Sequence, residues 1–151
     1  MKITRPLPVV FTAQSKAYFY CRDAVCEYVF SHDAIPVNPF RVFEYFLGDR
    51  VDRNLVRTGN NNLIRIVDEL WVFGETIANG VLFEIRFAKQ LEKPVRYFTI
   101  DTVAKNIKPI SPWKLKFERE ALVGAKSKED LIAEIAGSNP NQLSLFEEMP
   151  L

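Results

Sequence analysis

Four short apolar runs constrain this chain most. LPVVFTA (7–13), AIPV (34–37), DELWVFG (68–74) and PVRYFTID (94–101) are rich in β-branched and aromatic residues, and helical spacing separates them. Strands alternating with helices build βαβ units with right-handed crossovers. The expected fold is α/β, with a parallel sheet covered on both faces. Ligand sites in such sheets lie beyond the carboxyl ends of the strands. Here those ends are Thr12–Ser15, Asn38–Phe40, Gly74–Gly80 and Thr99–Asp101.

Between the runs, GVLFEIRFAKQLEK (80–93) is the clearest helix, and a helical pattern runs through Ala17, Cys21, Ala24, Val25, Tyr28 and Val29. FRVFEYFLGD reads as a helix or helical turn closing at Gly48. In DRNLVRTGNNNLIRIV (52–67), Leu63, Ile64 and Val67 predict a helix that starts after the Gly59–Asn61 breaker. ETIANG reads as a loop. IKPISPW reads as an extended wrap, and LKFERE as an edge strand or a helix start. SKEDLIAEIAG (127–137) predicts a short helix with Ser127 as its cap, Asp130 at the capping-box position and Gly137 at its end. The expected organisation is one domain over 1–136, with a core at 7–101 and a wrap and helix at 102–136, followed by a tail at 137–151.

Composition narrows the function classes. The net charge is +1, so nothing global argues for a nucleic-acid or membrane partner. No apolar run approaches the length of a membrane span. Cys21 and Cys26 fall roughly 140° apart on one helix, so they do not pair easily. With no His/Cys metal spacing, the expectation is a reducing cytoplasm, no metal and no cofactor.

On a helical wheel from Val81, Arg86, Lys89, Gln90 and Lys93 share the solvated face, while Glu84 falls inside the apolar half. A carboxylate there is rarely buried without a partner or a task. Read as lying in the first turn after Gly80, it is expected to be held ionised by the helix N-terminus. The structural alternative is an ion pair with Arg41 or Arg57, or a side chain bent out at the helix edge.

CRDAVCEYVFSHDAIPVNPF, DELWVFGE and NGVLFEIRFAKQLEKPVRYF resemble the nucleoside 2-deoxyribosyltransferase-like superfamily, in particular its small bacterial and phage branch. The resemblance covers roughly residues 7–101 and is most specific over 68–98. It implies a flavodoxin-like, Rossmann-like three-layer sandwich with a parallel sheet of four to five strands. It also implies cleavage or exchange of the N-glycosidic bond of nucleosides or nucleotides. The family's catalytic Glu, four residues after a loop glycine, falls on Glu84 after Gly80. Such a carboxylate stabilises or traps an oxocarbenium-like C1′. Candidate substrate contacts are Thr12, Gln14 and Ser15 at the first strand end, Asn60, and Asn79 and Gly80. The alternative for the first three is simple loop polarity. The chain departs from active transferases at two Asp positions, which are Ala78 and Asn60 here. A protein of this fold that binds without turnover is therefore the second functional reading.

Other residues read as structural. His32 sits at a helix end beside Asp33, Trp71 belongs to a core strand, and Asp68 and Glu69 open that strand. Asn60–Asn62 line a pocket or break a helix. Trp113 anchors the wrap or makes an exposed contact. Lys105, Lys108, Lys114 and Lys116 form a loose basic stretch, either plain solvated surface or an aid in holding DNA. The Phe-rich stretch 40–46 is a candidate homo-oligomer contact.

The chain ends in NQLSLFEEMPL, and Gln142, Leu143, Ser144, Leu145 and Phe146 spell QLSLF. The stretch resembles the bacterial DNA sliding-clamp-binding motif, QL(S/D)LF, at all five positions. Such a match arises by chance about once in a few thousand chains of this length. Leu145 and Phe146 would fill an apolar pocket, Leu143 a neighbouring groove, and Gln142 a hydrogen bond at its rim. The alternative is that these residues pack back on their own domain.

Overall fold

The computed structural model describes residues 6–43, 50–125 and 127–137. Along the chain run β1 (Val9–Gln14), α1 (Arg22–Ser31), β2 (Ile35–Val37), α2 (Pro39–Val42), α3 (Arg53–Ile66), β3 (Glu69–Phe73), β4 (Thr76–Ile77), α4 (Asn79–Gln90), β5 (Val95–Phe98), β6 (Lys116–Phe117), α5 (Arg119–Leu122) and α6 (Lys128–Ala136). Four strands form a parallel sheet in the order β2-β1-β3-β5. This is the expected three-layer α/β arrangement. The order reverses between β1 and β3, which makes that border the topological switch point.

Side-chain alternation divides the core into two layers. Val10, Trp71, Phe73 and Phe98 point to one face and pack with Val25, Tyr28 and Val29 of α1. Phe11, Ala13, Leu70, Val72, Val95 and Tyr97 point to the other, against Ile64 of α3, Leu82 and Ile85 of α4, and Leu131 and Ile135 of α6. Each fully buried large side chain contributes roughly 1.5–3 kcal/mol of transfer free energy. The layer assignment agrees with right-handed crossovers: α1 connects leftward on one face, and α3 and α4 connect rightward on the other.

The β2 edge is blunted by its own sequence. Ile35 N–H bonds Pro8 O at 2.9 Å, so its neighbour Pro36 faces outward, where its missing N–H leaves no donor for another strand. The β5 edge is covered by the wrap through an antiparallel bridge between Phe98 and Pro109.

Two local readings are corrected. The α3 helix does not begin after Gly59–Asn61; it runs unbroken through them from Arg53, with Asp52 as its cap. The glycine serves packing. A Cβ on Gly59 would lie 2.8 Å from Phe43 Cζ, so its absence lets the Phe43 ring rest on the helix. The segment 75–80 is also more than a loop: Thr76–Ile77 pairs in parallel with Lys116–Phe117, and α4 starts at Asn79. LKFERE combines both expected forms, a strand (β6) and then a short helix (α5).

At the C-terminal end, Ser127 Oγ accepts from Asp130 N at 3.1 Å and Gly137 closes α6 at φ +90°, as the sequence pattern predicts. Among the described residues no helix is long and apolar enough to cross a membrane. QLSLF and residues 44–46 of the Phe-rich stretch lie outside the described residues.

Candidate functional site

Small residues stand at the switch-point border: Ala13 at the end of β1, on the α3/α4 face, and Gly74 just after β3. Gly74 adopts φ +120°, a conformation that L side chains rarely take. The α3 and α4 helices pack side by side over this face and run in the same direction. Their register is marked by Arg65, whose guanidinium carbon lies 5.1 Å from the Phe87 ring centroid.

Glu84 interrupts an apolar stripe on α4. Val81, one turn before it, and Ala88, one turn after it, are both buried. Neither expected arginine neutralises it. Arg41 pairs with Asp23, and among the described residues no ion pair or hydrogen bond reaches the Glu84 carboxyl. The residue is half-buried, and burial pushes its carboxyl from 4.5 up to about 8. This corrects the expected charge state. With α4 starting at Asn79, Glu84 lies in the second turn, where the helix dipole has faded and desolvation wins.

Asn60 sits one turn before Ile64 on α3, on the helix side that faces the sheet. Its Oδ1 is buried without a hydrogen-bond partner. An orphan acceptor inside the fold calls for an explanation, because buried polar atoms are ordinarily paired.

The β1-end candidates separate by face. Thr12 and Gln14 point to the α1 layer, away from Glu84. Thr12 is fully buried and its Oγ1 has no partner. The Gln14 amide is engaged internally: Nε2 donates to Tyr18 O at 2.7 Å, and Oε1 accepts from Asn38 Nδ2 at 2.8 Å. Ser15 lies just past β1 and caps the next turn, where its Oγ accepts from Ala17 N at 3.2 Å. Asn79 and Gly80 are exposed at the start of α4, and Ala78 gives that helix no side-chain cap.

Asn38 belongs to an expected strand end but is not one of the candidate contacts. It is 2% exposed, ties Gln14 to α2, and accepts from Phe40 N at 3.0 Å. The Asn-Pro pair that opens α2 was its one sequence signal. His32 is structural, stacked 4.0 Å from the Tyr28 ring with Nδ1 2.8 Å from Tyr28 O. Among the described residues no group of three or more His, Cys, Asp or Glu is placed to hold a metal ion. An open groove of about 330 Å³ lies on the far side of α4, lined by Arg86, Leu131 and Glu134, and does not include Glu84.

The DUF7768 family model, described as a domain of unknown function, matches residues 11–98, more than half of the chain. The chain belongs to the DUF7768 family. The match begins inside β1 and ends with β5, so it spans the switch point, Asn60 and Glu84. For this DUF7768 chain, no curated protein gives a match.

Proposed function

We propose that this protein is a nucleoside or nucleotide N-glycosidase, or a related deoxyribosyltransferase, that uses Glu84 at the glycosidic carbon. One observation carries the reading: a half-buried carboxyl without a cationic partner among the described residues, on the first helix after the switch-point strand, whose burial favours its neutral form. Such a group is poorly stabilised as an anion in the resting protein. It gains a partner when positive charge develops beside it, which is the condition for stabilising a transition state more than a ground state. An oxocarbenium-like C1′ supplies that charge. The Glu84 carboxylate closes on C1′ as the C1′–N bond breaks. The base leaves with the electron pair and takes a proton from water. Water or a second base then displaces Glu84 from the sugar.

The proposal extends to recruitment: Gln142–Phe146 hold the protein to a bacterial DNA sliding clamp. A second reading, a nucleotide-binding-fold adaptor or inhibitor without turnover, is favoured by the uncapped start of α4 at Ala78, where active transferases of the resembled superfamily carry an Asp.

The test is incubation with a panel of deoxynucleosides and their monophosphates, with free base followed by chromatography. Base release that disappears in Glu84→Ala is expected. No release across the panel favours the adaptor.

A further inference from the structure

The α3 helix carries Arg53, Arg57 and Arg65, and no Asp or Glu between Arg53 and Ile66. Its outer surface is built from two adjacent ridges with i, i+4 spacing. One runs Arg53, Arg57, Asn61, Arg65, and the other Asn54, Thr58, Asn62, Ile66. Asn61 is half-buried and the rest are exposed, so both ridges lie on one continuous face of one rigid element. Arg65 Cζ, 5.1 Å from the Phe87 ring centroid, marks where that face meets α4. From Arg53 to Arg65 the face is roughly 18 Å long.

Among the described residues no acid pairs with any of these three arginines. The acids that flank the helix are engaged with backbone: Asp52 Oδ1 accepts from Asn54 N at 2.8 Å, and Asp68 Oδ2 from Val9 N at 2.8 Å. With three Arg and no acid, α3 is strongly cationic, while the whole chain carries only +1, so the remainder is net negative. A helix face that meets only water is ordinarily filled with Glu and Lys, which favour the helix and pair along it. Here Arg, Asn and Thr take those positions. Asn and Thr are poorer helix formers, so helix stability does not account for them. Arg and Asn share another property: both donate to phosphate oxygens and to base edges.

We propose that this face of α3 binds double-stranded DNA along its major groove, with Arg53, Arg57 and Arg65 on phosphates and Asn54, Asn61 and Asn62 donating to phosphates or base edges. The B-form major groove admits an α-helix, whereas the deep, narrow major groove of A-form RNA does not. Neither ridge carries an aromatic ring on which an unstacked base could rest, so the face is built for duplex rather than single strands. A second copy of the chain is disfavoured by charge, because two such cationic faces repel. The inference depends on neither the N-glycosidase nor the clamp reading.

The test uses the full chain, without clamp or nucleoside, and fluorescence anisotropy with a short DNA duplex, its single strand and the matching RNA duplex. The DNA duplex should bind tightest, with a log–log salt slope of roughly −2 to −3, as expected for about three phosphate contacts. Arg53→Gln, Arg57→Gln and Arg65→Gln together should weaken binding about tenfold or more at low salt and flatten the slope. Lys at the same three positions should keep most of the slope, because the charge remains. Asn54→Glu with Asn62→Glu separates binding from folding. Glu is the better helix former, so thermal stability should hold or rise while duplex binding falls about tenfold or more. Removing three cations elsewhere, by Lys16→Gln, Lys105→Gln and Lys108→Gln, should change affinity less than about threefold. Equal or tighter binding of the single strand or the RNA duplex would overturn the proposal. So would wild-type affinity in the Arg→Gln or Asn→Glu variants, an equal loss in the lysine variant, or no duplex binding at low salt. Displacement of the duplex by poly-glutamate at matched charge concentration would assign the face to an acidic protein instead.

Discussion

At the scale of single residues, Glu84 carries a cost that varies with pH. Its folded pKa, about 8, lies above the ordinary value of 4.5. Below pH 4.5 the carboxyl is neutral in both the folded and unfolded states, and nothing is lost. Between 4.5 and 8 the unfolded chain releases a proton that the folded protein keeps, so stability falls as pH rises. Above 8 the full penalty applies. Glu84→Gln is therefore expected to be more stable than wild type at pH 8. The gain is roughly 2–3 kcal/mol after discounting for residual solvent contact, with little difference at pH 4.5. Urea unfolding at both pH values checks this, and an equal gain at both would contradict it. The wheel alone exposed Glu84 as out of place. Its charge state was not legible, because that depends on the true start of α4 and on burial by elements distant in sequence. Activity carries the matching signature. If the ionised form acts at C1′, kcat/KM should rise about tenfold per pH unit up to a bend near 8 and then level off.

At the scale of elements, Gly59 and Asn38 show what a local pattern hides. Glycine in a helix interior costs about 1 kcal/mol relative to Ala, so GNNN reads as a breaker. Contact with Phe43 reverses that reading, and no local signal announces it. We expect Gly59→Ala to destabilise the protein by about 1 kcal/mol, because the ring must be displaced. In a Phe43→Ala background the same change should stabilise by about 1 kcal/mol. A double-mutant cycle by thermal or chemical unfolding measures that change of sign. Asn38→Ala should cost roughly 2–3 kcal/mol, because it removes the α2 cap and leaves Gln14 Oε1 buried and unpaired. The α6 helix was legible at both ends because its signals, Ser127 and Gly137, act within one turn. The two-residue pairing of β4 with β6 was not, since its partners are far apart in sequence.

At the scale of the whole molecule, four apolar runs and the helices between them were enough to read a parallel α/β sheet. Handedness then assigns α1 to one face and α3 with α4 to the other. The sheet also shows why the β1-end candidates do not act together: a period of two sends Thr12 and Gln14 to the layer opposite Glu84. The proposed tail contact is tested by binding to a bacterial clamp. Leu145→Ala with Phe146→Ala should abolish measurable binding, and unchanged affinity would remove the clamp from the account. The central claim is that Glu84 is a carboxyl kept neutral by burial until a cation develops at the sugar carbon. Carbon-13 NMR of the Glu84 carboxyl, titrated with and without a cationic cyclic-amine sugar mimic, tests this most directly. The account predicts a midpoint near 8 in the free protein that falls by about a unit or more when the mimic binds. A midpoint near 4.5 without ligand, or one that the bound mimic leaves unmoved, would contradict it.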